Sequence, residues 1–502
     1  GDEKLIGKFY EERPELKERT MLLDDRGAIA TYGDLDEFSR RTAGRMKSRS
    51  LLFILCGNSI GSVFTCFAAL RNRVVPLLLN RQIMEDKARR EMLGELMEEY
   101  RPKYLALPEE VYSANPDYFA GMPPVWHEWG YICLSCRPCS ESSREVKLYE
   151  ELALLLTTSG STGSPKLVRL SYKNLSSNAA SIASYLELTR SERPVTTLPM
   201  NYTYGLSVIN SHALAGAAVL LTEKTVFDRE FWEFASAEKA TSLAGVPYTY
   251  EMLKKLKFME MELPNLKTMT QAGGKLSVSL HREFAEYAAG HGKRFIVMYG
   301  QTEATARMGY LPAGEALNRC GSMGIAIPGG KFRLTGEDGR EIKEAGTTGE
   351  LVYEGKNVML GYAKNRSDLS KGDECRGILF TGDMARRDEA GFYYIEGRKK
   401  RFLKLFGNRI SLDGTERLLK HHFGGCDFAC TGNDEGMKIF MAMPKESMGS
   451  PGHCALPKPE ETALFLEKAT KLRRRVFEVI TVGEIPKNDA GKVLYKKLEE
   501  LP

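Results

Sequence analysis

Hydrophobic positions along the chain change their spacing from segment to segment. Residues 31–48, opened by Thr31-Tyr-Gly-Asp34, read as a capped amphipathic helix with Leu35, Phe38 and Met46 on one face. An apolar strand follows at 51–55, then a helical stretch at 62–71 and a second apolar run at 74–79. This strand, helix, strand order predicts a parallel sheet covered by helices. It recurs between about residues 150 and 310, with predicted strands at 195–198, 217–221 and 295–299. Beyond Pro328 the texture shifts to short strands at 331–335, 349–354 and 392–395. Gly-containing turns at Glu337-Asp-Gly339 and Glu389-Ala-Gly391 part them, which predicts an antiparallel sheet. From Arg398 a basic run leads into a last segment with its own helix and strand signals, read as a small separate lid domain.

Composition excludes several classes. Over 502 residues the chain is 42% hydrophobic and 27% charged, ordinary for a globular protein of two to four domains and unlike disordered or collagen-like chains. The net charge of +5 is spread through mixed-sign sequence, so nucleic-acid binding is not indicated, while small anionic ligands suit it. Its N-terminal residues lack a secretion pattern, no apolar run reaches membrane-spanning length, and ten cysteines are scattered, so a reducing, cytoplasmic setting is expected. Cys133, Cys136 and Cys139 form a CxxCxxC run without a clear fourth ligand and are read as structural. His421, His422, Cys426 and Cys430 fall on a predicted helix and the strand after it, facing different ways.

Four clusters carry candidate chemistry. The first, Leu155-Leu-Thr-Thr-Ser-Gly-Ser-Thr-Gly-Ser-Pro-Lys166, follows an apolar strand. Gly160 and Gly163 let the backbone expose its N–H groups, Thr158, Ser159, Ser161 and Thr162 add neutral donors, and Lys166 adds charge, a phosphate clamp without the Gly-Lys-Ser/Thr ending of the P-loop. In the second, Met298-Tyr-Gly-Gln-Thr-Glu303 ends a predicted buried strand, where open α/β sheets place ligands; Glu303 can hold magnesium and Tyr299 can lie against a base. The third is Leu379-Phe-Thr-Gly-Asp383 with Gly397-Arg398, an aspartate suited to ribose hydroxyls and a nearby arginine donor. The fourth, Pro486-Lys-Asn-Asp-Ala-Gly-Lys492, presents a lysine on a tight, mobile tip, able to bring charge to a reacting phosphoryl group. Each alone is an ordinary turn.

In order and spacing the clusters resemble the adenylate-forming superfamily of acyl-CoA synthetases, nonribosomal peptide synthetase adenylation domains and firefly luciferase. Nearly the whole chain takes part, through 31–43, 157–166, 299–303, 321–328, 349–362, 381–383, 397–410 and 486–492. The resemblance implies a large domain, residues 1–399, of helix-covered, mostly parallel sheets plus a small antiparallel barrel-like sheet, and a small mobile α+β domain, residues 400–502, turning about Lys400. It implies ATP with Mg²⁺: Thr158, Ser159, Ser161, Thr162 and Lys166 at the pyrophosphate end, and Gly273, Gly274 and Lys275 along the adenine. Tyr299, Gln301 and Thr302 would lie beside the base and α-phosphate, with Glu303 on the metal. Asp383 would take the ribose, Arg398 and Arg409 would contribute to the nucleotide site, and Lys492 would be the lysine of adenylation. Lys404 would face the second half-reaction.

Departures bear on substrate. Leu167 follows the loop lysine where the family usually has glycine. In Leu198-Pro-Met-Asn-Tyr-Thr-Tyr-Gly-Leu206, Gly205 offers no charge for a substrate ammonium, which disfavours an α-amino acid. Tyr202, Tyr204, Val246 and Tyr248 suggest an apolar or aromatic acid pocket. The expected activity is ATP-dependent acid–thiol ligation through an acyl-adenylate, with release of pyrophosphate and transfer to the pantetheine thiol of coenzyme A or a carrier protein. An adenylating enzyme that loads an amino or hydroxy acid onto a carrier protein is one alternative; a non-catalytic nucleotide-binding regulator is another.

Overall fold

A computed structural model of the chain describes residues 8–136, 146–158, 166–444, 455–488 and 491–501. The chain forms two compact units, residues 1–332 with 353–379, and residues 333–352 with 380–502.

The first unit is built on an eight-stranded sheet. Its centre, Leu152–Thr157, Val75–Asn80, Leu51–Cys56 and Tyr104–Pro108, is parallel. Antiparallel strands flank it, Leu167–Ser171 and Gly361–Ala363 on one side, Tyr131–Ser135 and Pro124–Glu128 on the other. Every residue of Leu51–Cys56 is buried, as a strand covered on both faces requires. Alternate residues enter opposite cores: Leu52, Ile54 and Cys56 pack with Val63, Phe64 and Phe67 of helix Ile60–Arg71, whereas Leu51, Phe53 and Leu55 share a core with Leu93, Leu96 and Tyr100 of helix Lys87–Tyr100. Helix Tyr32–Ala43 is capped at Thr31, whose hydroxyl accepts from the Asp34 N–H at 3.0 Å while Asp34 accepts from the Thr31 N–H at 2.8 Å. Met46 lies beyond that helix yet is buried with Leu35 and Phe38.

A second sheet of the same unit has five strands, Ser242–Gly245, Thr268–Gln271, Arg294–Gly300, Arg307–Tyr310 and Ile325–Ala326, the first three parallel. The strand expected at 195–198 is reduced to single bridges at Pro194 and Val195. Pro194 and Pro199 lack the N–H groups a longer ladder would use.

The other unit contains most of a five-stranded sheet ordered Glu341–Ile342, Lys331–Thr335, Gly349–Glu354, Ile378–Arg387, Tyr393–Arg398. The barrel-like closure expected of it does not occur: its ends stay open, and the edge strand Glu341–Ile342, of 2 residues, is too short to close a barrel. Further along come the hairpin Phe402–Leu405 and Asn408–Ser411, and a three-stranded sheet, Asp427–Asn433, Gly436–Ala442 and Phe477–Thr481. Leu419, Phe428, Cys430, Ile439, Met441 and Leu466 form the core between that sheet and helices Leu412–His422 and Pro459–Thr470.

Cys133 is wholly buried in strand Tyr131–Ser135 with its sulfur 4.0 Å from that of Met46, Cys136 is half-buried, and Cys139 lies outside the described residues. Cys430 is buried, while the exposed His422 stacks on Phe465. Among the described residues no three His, Cys, Asp or Glu side chains group as a metal site. Among them, too, no helix is long and apolar enough to cross a membrane.

Candidate active site

Strands Leu152–Thr157 and Leu167–Ser171 pair antiparallel up to Thr157 and Leu167, the residues between which the hydroxyl-rich stretch falls in the sequence. Thr158 and Lys166 stand at its base; Ser159, Gly160, Ser161, Thr162 and Gly163 lie outside the described residues. Lys166 is half-buried, its ammonium 3.7 Å from the centre of the Tyr362 ring. Such a contact is worth about 0.5–2 kcal/mol, more as water is excluded. Tyr362 pairs with Val168 in the neighbouring strand, and its hydroxyl donates to Glu303 Oε1 at 3.2 Å. One ring thereby touches the loop lysine and the candidate metal carboxylate.

The parallel strands of the five-stranded sheet deliver the remaining groups at their carboxyl ends, the position at which such sheets bind ligands. Ser242–Gly245 leads to Val246, Thr268–Gln271 to Gly273, Gly274 and Lys275, and Arg294–Gly300 to Gln301, Thr302 and Glu303. Tyr299 sits near the end of the last of these, 3.4 Å from the Gln301 amide through its hydroxyl. Gly273 has φ +85, and a Cβ there would lie 2.7 Å from the Tyr202 hydroxyl and 2.9 Å from Val246. Only glycine fits both the angle and the space. Gln271, fully buried, steadies this turn by donating to the Ala272 and Gly274 carbonyls at 3.3 and 2.9 Å.

After Glu303 the backbone makes a γ-turn centred on Thr305, with φ 71 and ψ -49, closed by the Ala306 N–H on the Ala304 carbonyl at 2.8 Å. A turn of this hand is rare and strained at a non-glycine residue, by about 1–3 kcal/mol. Surrounding bonds hold it. The Thr203 hydroxyl donates to the Thr305 carbonyl, and the Thr305 hydroxyl donates to the Asn357 carbonyl at 2.7 Å. The Asn357 amide donates to the carbonyls of Ala304 and Arg307 at 2.9 and 3.1 Å, and Tyr353 fixes that amide through its oxygen at 2.7 Å. Glu303 itself is tied by its carbonyl, which accepts from the Met359 N–H at 2.9 Å.

Tyr202, Tyr204, Val246 and Tyr248 do share one apolar cluster, joined by Tyr185, Met298 and Tyr310. Burial pushes the Tyr202 and Tyr204 phenols up, so both stay neutral, and the Tyr204 hydroxyl pairs with that of Thr270 at 2.7 Å. Gly205 has a packing role as well as offering no charge. A Cβ there would lie 2.3 Å from the Pro199 carbonyl oxygen, so its side-chain direction is filled by backbone and glycine is a packing requirement.

In the second unit Asp383 and Arg398 are directly opposite in the ladder of Ile378–Arg387 and Tyr393–Arg398. Arg398 Nη1 donates to Asp383 Oδ1 at 2.8 Å and to the Thr381 carbonyl at 3.1 Å. Arg409, exposed on the hairpin, lies with its guanidinium 4.6 Å from the Phe402 ring centre, and Lys400 is exposed. Lys404, on the opposing strand of that hairpin, lies 4.0 Å from Glu337. Lys492 is exposed on a turn in which the Asn488 N–H donates to the Lys492 carbonyl and the Gly491 N–H to the Asn488 carbonyl, each at 2.9 Å, with Gly491 at φ 79. Asp489 and Ala490 lie outside the described residues.

Sequence reasoning missed Tyr362, Asn357, Thr203 and Gln271. A buried amide inside the apolar run Lys356-Asn-Val-Met-Leu360 was the one available signal.

The chain is 28% identical over 491 residues to indoleacetate–CoA ligase of Aromatoleum aromaticum, covering 94% of this chain and 93% of that one. Its fold is similar to that of O-succinylbenzoate coenzyme A synthetase (MenE) of Bacillus subtilis in complex with AMP, with a TM-score of 0.77, 20% identity and 98% of each chain covered. ATP-bound MatB of Rhodopseudomonas palustris is similar at a TM-score of 0.73 and 20% identity, over 100% of this chain and 99% of that one. Residues 10–363 match the AMP-binding enzyme family, and the chain belongs to that family.

Proposed function

We propose that this protein is an ATP-dependent carboxylic acid–CoA ligase that forms an acyl-adenylate, releases pyrophosphate and passes the acyl group to coenzyme A. The observation that carries the reading is the joining of Lys166 and Glu303 through the Tyr362 ring, beside the carboxyl ends of the three parallel strands. Coenzyme A is preferred to a carrier protein as acceptor because the relatives named above bear CoA-ligase names.

The attacking carboxylate and the α-phosphate are both anionic, so the residues must offset repulsion and align the oxygen with departing pyrophosphate. Lys166 and the Thr158 hydroxyl serve the phosphates, and the Gly273–Lys275 turn lies along the adenine. Asp383, steadied by Arg398, accepts the ribose hydroxyls, and Lys492 supplies charge during adenylation. The Glu303 carboxylate fits Mg²⁺, a hard cation held by one or two carboxylates together with substrate phosphates. When bound, that ion neutralises phosphate charge. The neutral Tyr202 and Tyr204 line the acid and keep water from the mixed anhydride. We place the start of the mobile C-terminal domain at Lys400 and the protein in the cytoplasm.

The test is acid-dependent ATP–pyrophosphate exchange, followed by coenzyme A consumption. Lys492→Ala is expected to lower exchange by roughly a hundredfold or more with ATP binding retained. Exchange that survives in this variant would remove Lys492 from the mechanism.

A further inference from the structure

Arg307 begins strand Arg307–Tyr310, four residues after Glu303, and is 2% exposed. Its neighbours in the acid cluster are poor partners for a charge. Nη1 lies 3.4 Å from the Tyr185 hydroxyl and 3.6 Å from the Met298 sulfur, Cζ is 5.0 Å from the Tyr204 ring centre, and Nε is buried without a partner. Among the described residues no carboxylate pairs with it. Other buried and half-buried arginines have an anion or backbone carbonyls for their terminal nitrogens: Arg71 has Asp36 at 2.8 Å, Arg169 has Glu374 at 2.5 Å, and Arg401 has Asp413 and Glu416, each at 2.7 Å. Arg13 and Arg49 donate to backbone carbonyls through their terminal nitrogens, although their Nε atoms, like that of Arg307, are buried without a partner. His212 does not share the charge, because burial, with a lesser contribution from Arg307, lowers its pKa to about 4.

A guanidinium presents a rigid fork matched to a carboxylate, and a buried charge is stable when paired. Resting on the ligase reading above, we propose that Arg307 determines specificity by binding a second carboxylate at the far end of the acid substrate, which is therefore a dicarboxylic acid with an apolar or aromatic middle. The groups that crowd the guanidinium are side chains of Tyr185, Tyr204 and the adaptable Met298, which must turn aside for a carboxylate to reach it. The same cation repels a substrate ammonium, which disfavours amino acids on firmer ground than Gly205 does.

Two measurements test this on the full chain. Calorimetric binding compares aliphatic and aryl diacids of increasing length with their monomethyl esters, and pyrophosphate exchange is run on the same panel. The diacid that fits is expected to be favoured over its ester by roughly 10- to 100-fold in both. Arg307→Met is expected to erase that ratio, and Arg307→Lys, which keeps the charge, to retain part of it. Diacid preference in binding without exchange would overturn the ligase reading while supporting the anion site. Esters bound as tightly as their diacids by the native protein, or a ratio unchanged in a folded Arg307→Met variant, would overturn the proposal.

Discussion

Tyr362 offers two interactions that substitution can separate. Tyr362→Phe keeps the ring under Lys166 and removes the hydroxyl from Glu303. The loss of one hydrogen bond to a charged group is worth about 1.5–3 kcal/mol, so exchange activity is expected to fall roughly ten- to a hundredfold, with more Mg²⁺ needed for half-maximal rate. Tyr362→Ala, which frees the lysine as well, is expected to fall further. A magnesium titration of both variants checks this, and an unchanged Mg²⁺ requirement in Tyr362→Phe would detach the phenol from the metal carboxylate. Lys166 and Glu303 were legible in the sequence because each sits in a short motif of diagnostic residue types. Tyr362 was not singled out, because its role comes from contacts far along the chain. The packing role of Gly205 was hidden for a related reason: a missing side chain shows that no charge is offered, but not that the Pro199 carbonyl fills its place.

Helix Thr203–Leu214 shows how one element couples substrate cluster and stability. All of its residues are buried, His212 among them, with Nδ1 2.7 Å from the Val208 carbonyl. Burial lowers the His212 pKa to about 4 from 6.5. The folded state thus holds it neutral while the unfolded chain takes up a proton below pH 6.5, so stability is full above that pH and declines as pH falls toward 4. The whole effect is about 3 kcal/mol at most. Denaturant midpoints measured from pH 7 to 4 should show this decline and its reduction in His212→Gln; equal slopes would remove His212 as the cause. The γ-turn is the companion element. Asn357→Ala would take one of two donors from each of the Ala304 and Arg307 carbonyls and remove the acceptor of the Tyr353 hydroxyl, an expected loss of about 1–3 kcal/mol measured by denaturation. Strand and helix positions near 51–79 followed directly from hydrophobic spacing. The strand at 195–198 failed because prolines bracket it, and the γ-turn was invisible because a threonine gives no local sign of positive φ.

Taken as a whole molecule, the chain divides its candidate residues between two compact units. Within the second, Arg401 directly follows the proposed hinge and is held from several directions. Its Nε donates to Asp413 at 2.7 Å, Nη2 to Glu416 at 2.7 Å and to the Tyr495 hydroxyl at 3.0 Å, and Nη1 to the Cys430 carbonyl at 2.8 Å. Asp413 also accepts from the Arg398 N–H at 3.0 Å, so the network spans Lys400 and a backbone rotation at that residue would have to break this bond. Arg401→Ala strands Glu416 and Asp413 and is expected to destabilise the unit by about 3–5 kcal/mol. Limited proteolysis should detect it as faster cleavage in residues 380–502, and an unchanged cleavage rate would count against it. The basic run around Arg398–Lys404 marked this region in the sequence, but which of its cations is anchored depended on Glu416 and Tyr495, beyond the reach of spacing.

The strained turn behind Glu303 also has an evolutionary consequence. Thr203, Thr305 and Asn357 keep one improbable backbone geometry in place, and none of them can drift alone without releasing it. Distant descendants of this sequence are expected to inherit the three together, or to exchange them jointly for side chains that restore the same donors.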